Sequence, residues 1–235
     1  MNPRPALVWP LAALAIGLGA ATAVAAPEAV RRLPSAGSAI HFVVDVPEPR
    51  LVPFAGESGV TRLELDGYGP IGAVGAPALA ERIVIVAVPP SGEVRVTAAG
   101  GATSTLEDAL LAPMPRLVGA RGAERERFDR SARAYGSAGG ASHAPARLIG
   151  VSWLRNQRVA RIAVEPATYD PAARRVNVFR QVDVSVEVTP AEATGTLAEP
   201  DDPFEPVYRD LLVNYDQGRV WRMRESMLGD GRRRA

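Results

Sequence analysis

Residues 148–190 read LIGVSWLRNQRVARIAVEPATYDPAARRVNVFRQVDVSVEVTP. In Arg158–Glu165 one parity carries Val159, Arg161, Ala163 and Glu165, and the other Arg158, Ala160, Ile162 and Val164. From Val176 the even positions Val176, Val178, Val182, Val184, Val186 and Val188 are apolar, whereas the odd ones are mostly polar. Period-two patterning rich in β-branched residues marks strands with one buried face. Between the two runs, Pro166 to Pro171 supplies turn chemistry. Pro171 restricts Asp170 to extended backbone, and the Asp170 carboxylate can accept from nearby amides. The stretch predicts a β-hairpin with a long second strand.

Upstream the same alternation recurs. Ala39–Val46, Val60–Leu65, Arg82–Val88 and Glu93–Ala98 each read as a strand, the last two as a hairpin across Ser91-Gly92. Pro47, Pro49 and Pro53 bar a central strand directly after the first. Residues 27–38 read as a flexible lead-in, and Gly67–Pro77 as loop. The rhythm breaks between Gly100 and Ala146. Leu106–Leu111 could begin a helical turn that Pro113 and Pro115 stop, and six Arg follow between Arg116 and Arg133. An insertion of this length in a strand-rich domain is seldom a neutral connector. Downstream, an acidic, Pro-bearing linker leads to Phe204–Tyr215, where Phe204, Val207, Tyr208, Leu211, Leu212 and Tyr215 share one face of an amphipathic helix.

Arg4 followed by the apolar run Ala6–Leu18 and the small residues Ala23-Val24-Ala25 reads as a signal peptide over residues 1–25. The run is shorter than the roughly 20 apolar residues of a membrane span. The remainder is expected to be exported: periplasmic, outer-membrane-associated or secreted. A formal net charge of +1 marks no nucleic-acid or membrane-surface binder. All cationic side chains apart from His are Arg, scattered among Asp and Glu. With 21 Pro, 22 Gly and 6% aromatic residues, the composition suits short strands between many turns.

Chemistry-bearing motifs are sparse. The sequence holds no Cys, so it has neither a thiolate nucleophile nor a thiolate metal site. His41 and His143 are its two histidines and lack metal-motif spacing, so no cofactor or metal is expected. No G-x-S-x-G turn is present, and Ser58 in Gly56-Glu57-Ser58-Gly59 misses that spacing. Gly67-x-Gly69-x-x-Gly72 matches a dinucleotide fingerprint in letters, but it opens no helix and runs into Pro77.

Four blocks together resemble the propeptide family of gingipain-type (clan CD, family C25) cysteine peptidases. They are Gly72–Ala80 followed by Ile83–Pro89; Leu111-Ala-Pro113-Met-Pro115; Gly150–Val188 with Arg158-Val159-Ala160, Tyr169-Asp170-Pro171 and Val176-x-Val178-Phe179; and Phe204–Tyr215 with Trp221. Ala80 and Asn156 stand where that pattern often has Pro and Gly. The resemblance implies a jelly-roll-like fold and a loop that blocks the cleft of a cysteine peptidase. It also implies a following caspase-like domain, which the sequence ending at Ala235 does not include.

The expected fold is therefore all-β, an antiparallel sandwich with a short C-terminal helix. Residues 39–190 form the propeptide-like domain; residues 191–235 form linker, helix and polar tail. The expected function is non-catalytic: assisting the folding of a cysteine endopeptidase and holding it latent. The peptidase would be a separate chain or a lost downstream segment, across an interface on the order of 1,500 Å². Arg116, Arg121, Arg125 and Arg127 are the candidates for an inhibitory loop, since a guanidinium can enter a carboxylate-lined pocket through charge-assisted bonds. Phe204, Tyr208, Leu211, Leu212 and Tyr215 are the candidate docking helix. The rival reading is a secreted β-sandwich adhesion module with no peptidase partner.

Overall fold

A computed structural model describes residues 30–35, 37–119, 124–136, 143–189 and 202–223. The expected signal peptide, most of the acidic linker and most of the polar tail lie outside these residues. In chain order the strands are β1 (Val30–Leu33), β2 (Ile40–Asp45), β3 (Arg50–Pro53), β4 (Thr61–Glu64), β5 (Gly69–Ile71), β6 (Leu79–Ala87), β7 (Glu93–Gly100) and β8 (Thr103–Leu106). They continue with β9 (Arg116–Val118), β10 (Arg125–Arg127), β11 (Ala146–Leu154), β12 (Gln157–Val164), β13 (Ala167–Asp170), β14 (Arg175–Phe179) and β15 (Gln181–Thr189). Helices α1 (Ala132–Gly136), α2 (Glu205–Leu211) and α3 (Tyr215–Gly218) are short.

Two antiparallel four-stranded sheets make the sandwich, in the orders β1-β2-β15-β7 and β11-β12-β6-β5. In the first, Val184 lies opposite Phe42 of β2 and Ala98 of β7. In the second, Ile162 lies opposite Val84 and Leu148. The inward faces meet in one core: Ile40, Phe42 and Val44 with Val182, Val184 and Val186 from one side, Val84, Val86, Ala160 and Ile162 from the other. Removing each of the Val, Ile and Phe side chains from water contributes roughly 1.5–3 kcal/mol. A third sheet, β13-β14-β8, covers a second cluster containing Leu65, Leu111, Tyr169, Val176 and Val178. The all-β sandwich expectation holds.

Several local expectations do not. The long hairpin breaks in two, because β12 and β15 sit in opposite sheets. A turn at Arg155-Asn156, with Arg155 at φ 52, pairs β12 with β11 instead. The valine row also divides at Arg180, whose amide donates to Ala102 O (2.7 Å) and whose carbonyl accepts from Val46 N (2.9 Å). Before that point β14 pairs with β8 and β13; after it β15 pairs with β2 and β7. β6 and β7 form no hairpin, since they also belong to opposite sheets. The guanidinium of Arg158 holds their crossover by donating to Pro89 O, Ser91 O and Gly92 O at 2.9–3.0 Å. Val30–Leu33, expected within the flexible lead-in, is an edge strand paired with β2. Asp170 behaves as read, accepting from Ala172 N and Ala173 N.

The C-terminal segment is a strap, and its helix is shorter than the 3.6-residue periodicity predicts. α2 ends at Leu211, and Leu212 after it turns extended (φ −96, ψ 118). The reason is the edge of β6, which β5 covers only at Leu79–Glu81. Val213 N donates to Ile85 O, while the Asn214 side chain accepts from Ala87 N (2.8 Å) and donates to Ala87 O (2.9 Å). Uncovered strand edges leave polar groups unpaired, and the strap supplies the missing partners. Gly218 then passes so close to β6 that a Cβ on it would lie 2.3 Å from the Ala87 Cβ. Tyr208, Leu212 and Trp221 complete the main core.

One carboxylate gathers the strap. Glu205 accepts from the Tyr215 hydroxyl and from Arg222, and it pairs with Arg219 at 3.3 Å. Arg222 is fully buried, its guanidinium 4.1 Å from the centre of the Tyr208 ring. Burial alone would raise the Glu205 carboxyl, but these hydrogen bonds and cations outweigh it and hold it below its ordinary range.

Two expected outcomes follow. Asn214→Ala leaves both polar groups of Ala87 unpaired and lowers unfolding free energy by about 2–4 kcal/mol, read by urea denaturation. Because the folded Glu205 carboxyl titrates below its unfolded value, its contribution is present above the unfolded pKa. It is lost as pH falls through the folded pKa, so denaturation midpoints taken from neutral to acid pH decline less steeply in Glu205→Gln than in the wild type.

Candidate functional site: an anchored arginine ribbon

The insertion that broke the strand rhythm builds a projecting arm. Its root is the segment Ala109–Pro115, which Pro113 and Pro115 favour as extended chain. The expected helical turn at Leu106–Leu111 is absent: Leu106 ends β8, and Ala109 and Leu111 are buried in the second core. Main-chain bonds hold the root on both sides. Thr61 N donates to Leu110 O and Ala112 N to Thr61 O; Ala78 N donates to Ala112 O and Met114 N to Ala76 O. The hydroxyls of Tyr135 and Tyr169 add bonds to Leu111 O (2.7 Å) and Ala109 O (2.9 Å).

From this root the chain runs out as β9 and back as β10, a two-stranded antiparallel ribbon pairing Arg116 with Arg127, Leu117 with Glu126 and Val118 with Arg125. The return leg is pinned again. Phe128 packs edge-on to Phe54 at 4.8 Å, Arg62 stacks over Phe54 at 4.7 Å, and Arg130 pairs with Glu57 at 3.0 Å. Gly75 fits beneath this leg at φ +79, where a Cβ would lie 2.9 Å from Asp129 O. Its amide donates to Met114 O, and its carbonyl accepts from Ser131 N. Beside the arm, a groove of about 470 Å³ opens between the ribbon and β4–β5, bordered by Glu126, Phe128, Arg62, Asp66 and Tyr68. Burial pushes the Tyr68 hydroxyl up to about 12, so it stays protonated at neutral pH and is no base there.

The four candidate arginines separate. Arg116 and Arg127 share the carboxylate of Asp129, at 3.4 Å and 2.8 Å. Arg125, opposite Val118 at the far end of the described ribbon, is exposed, and its guanidinium has no hydrogen bond or ion pair among the described residues. Arg121 lies outside the described residues. Leu117 and Val74 stand on the surface near the root, exposed by 66% and 63%. Sequence reasoning found the arginines but missed Asp129. Glu124, Glu126 and Asp129 alternate with Arg125, Arg127 and Arg130 like ordinary interleaved charge, and only the ribbon register shows the Asp129 carboxylate serving both strands.

The docking-helix expectation needs correction. Tyr208 and Leu212 are turned into the protein's own core, where closing β6 requires them, and offer no surface to a partner. Leu211 is exposed, while Phe204 and Tyr215 are half-buried. The two histidines do not converge. His41 Nδ1 is 2.9 Å from Ser185 Oγ across β2 and β15, and His143 Nε2 is 3.6 Å from Glu165. Among the described residues no three His, Cys, Asp or Glu side chains gather as a metal site, and no helix is long and apolar enough to cross a membrane.

The described residues thus form an all-β sandwich that carries a firmly rooted, arginine-bearing ribbon. The model of the C25 propeptide family matches residues 20–220, and the chain belongs to that family. Among solved structures, the fold is similar to a chain from the complex of the Porphyromonas gingivalis RgpB pro- and mature domains, with a TM-score of 0.67 at 20% identity over 81% of this chain and 99% of the other. It is also similar to a chain from a structure addressing zymogenic latency of gingipain K from the same organism. There the TM-score is 0.58 at 18% identity, over 68% and 92% of the two chains. A search of curated proteins returns no match.

The root should be intolerant of side chains at Gly75. Gly75→Val forces a β-branched residue to positive φ against Asp129 O, and is expected to cost at least about 2 kcal/mol in thermal unfolding.

Proposed function

We propose that this chain is an exported prodomain that assists the folding of a gingipain-type cysteine peptidase domain and holds it latent, with the arginine ribbon as the element that enters the cleft. The observation that carries the reading is the family match over residues 20–220. The similar RgpB chain comes from a complex of pro- and mature domains, which supports a peptidase domain as the partner here. Family membership does not favour the adhesion-module alternative.

Within the ribbon, Arg125 is the residue proposed to enter a carboxylate-lined specificity pocket. Arg116 and Arg127 would first have to leave Asp129, whereas Arg125 has no such partner to give up. A guanidinium moving from water into a pocket has its desolvation best offset by charge-assisted bonds to a carboxylate, so the reading calls for an acidic pocket. Leu117, exposed and next to Val118, which faces Arg125, would add an apolar contact beside the insertion and replace water at its edge.

The test mixes the chain with a gingipain-type peptidase domain and follows hydrolysis of a chromogenic peptide. Wild type should titrate the activity to near zero. Arg125→Ala should raise the inhibition constant by about 10–100-fold, the range for losing a desolvated charge-assisted bond. Arg116→Ala and Arg127→Ala should have smaller effects. Absence of inhibition by the wild type would refute the reading, and full inhibition by Arg125→Ala would move the role to another part of the ribbon.

A further inference from the structure

The ribbon contains an electrostatic conflict. Its register sets Arg127 directly opposite Arg116, one from each strand. Like charges facing one another across an antiparallel pair push the strands apart. Two residues past Arg127, the chain turns back and Asp129 meets both guanidinium groups. Its Oδ1 accepts from Arg127 Nε at 3.0 Å, its Oδ2 lies 2.8 Å from the same nitrogen as an ion pair, and Oδ2 accepts from Arg116 Nη2 at 3.4 Å. The backbone of Asp129 is itself held in place: its carbonyl sits against Gly75, and the neighbouring residues Phe128 and Arg130 pack on Phe54 and pair with Glu57. A fixed anion therefore lies where the two strands' positive charges meet.

We propose that Asp129 is the positioning residue of the arm. It turns a repelling pair into a cross-strand clamp, holds the ribbon in register, and keeps Arg116 and Arg127 occupied so that, among the described arginines of the ribbon, Arg125 is the guanidinium presented to a partner. The last part rests on the latency reading; the clamp itself does not. All three side chains are about half exposed, so the clamp adds little to global stability. Its effect falls on the ribbon. With Asp129 neutral, Arg116 and Arg127 repel, the strands fray from the root, and Arg125 loses its fixed approach.

The test has two arms, both on the full chain. Hydrogen exchange reads the clamp without any peptidase. In Asp129→Asn the amides of Arg116–Val118 and Arg125–Arg127 should exchange about fivefold faster, with those of β12 and β15 unchanged. Asp129→Glu should restore most of the protection, and raised salt should speed exchange in the wild type but hardly in Asp129→Asn. Unchanged ribbon exchange in Asp129→Asn overturns the clamp.

Inhibition of a gingipain-type peptidase domain reads the presentation. Asp129→Asn should weaken inhibition about fivefold, chiefly by faster dissociation, and Asp129→Glu should recover it. Combined with Arg125→Ala, Asp129→Asn should add almost nothing, because the two residues act through one contact. Full additivity overturns the link between Asp129 and Arg125. Faster ribbon exchange in Asp129→Asn without inhibition by any form refutes the latency reading and leaves the clamp standing.

Discussion

The closure of two apolar sheet faces against each other is what the remaining structure serves. β15 lies inside its sheet with β2 on one side and β7 on the other, and its valines meet Val84, Val86, Ala160 and Ile162 across the sandwich. The sequence has no Cys, so no disulfide adds to this packing. Stability then depends on burying these faces completely and leaving no sheet edge with unpaired polar groups. The strap answers the second need. Its helix stops where Asn214 must reach Ala87, and a fully buried Arg222, matched to Glu205 and stacked on Tyr208, locks the segment down. A buried cation without Glu205 would carry a large desolvation cost, so anion and cation are best understood as one unit.

Against that closed body, the arm is an addition of different character. Nothing in the sandwich core needs β9 or β10, whose residues are mostly exposed. Its root, by contrast, is over-determined: main-chain bonds run to β4 and to the Gly75–Ala78 segment, tyrosine hydroxyls reach Leu111 and Ala109, and an aromatic pair pins the return leg. A rigid base under an exposed, charged ribbon suits recognition, because ordering costs are met on folding and little is left to lose on binding. The chain belongs to the C25 propeptide family, and that membership gives the geometry its context.

How far the chain could be read without coordinates depended on the range of each interaction. Strands such as Ile40–Asp45 and Gln181–Thr189 were legible because side-chain alternation is local. Their pairing was not, since Val178 and Val182 keep the same parity on either side of Arg180 while belonging to different sheets. The helix at Phe204–Tyr215 was overextended for a related reason: periodicity continues through Leu212 and Tyr215, but a hydrogen bond to Ala87, far away in sequence, outweighs it. Val30–Leu33 carries too weak a pattern to stand alone and is a strand because β2 lies beside it.

The sequence by itself determined that this protein is an all-β domain with an arginine-bearing insertion and no thiolate chemistry. Composition and alternation act residue by residue and need no partner to be read. The tertiary structure decided which strands are neighbours, which apolar residues of the C-terminal segment are used internally, and that Arg116 and Arg127 share one carboxylate. Those outcomes depend on groups distant in sequence meeting at particular distances, as Asp129 meets Arg116 and Arg127, and no local pattern encodes such a meeting.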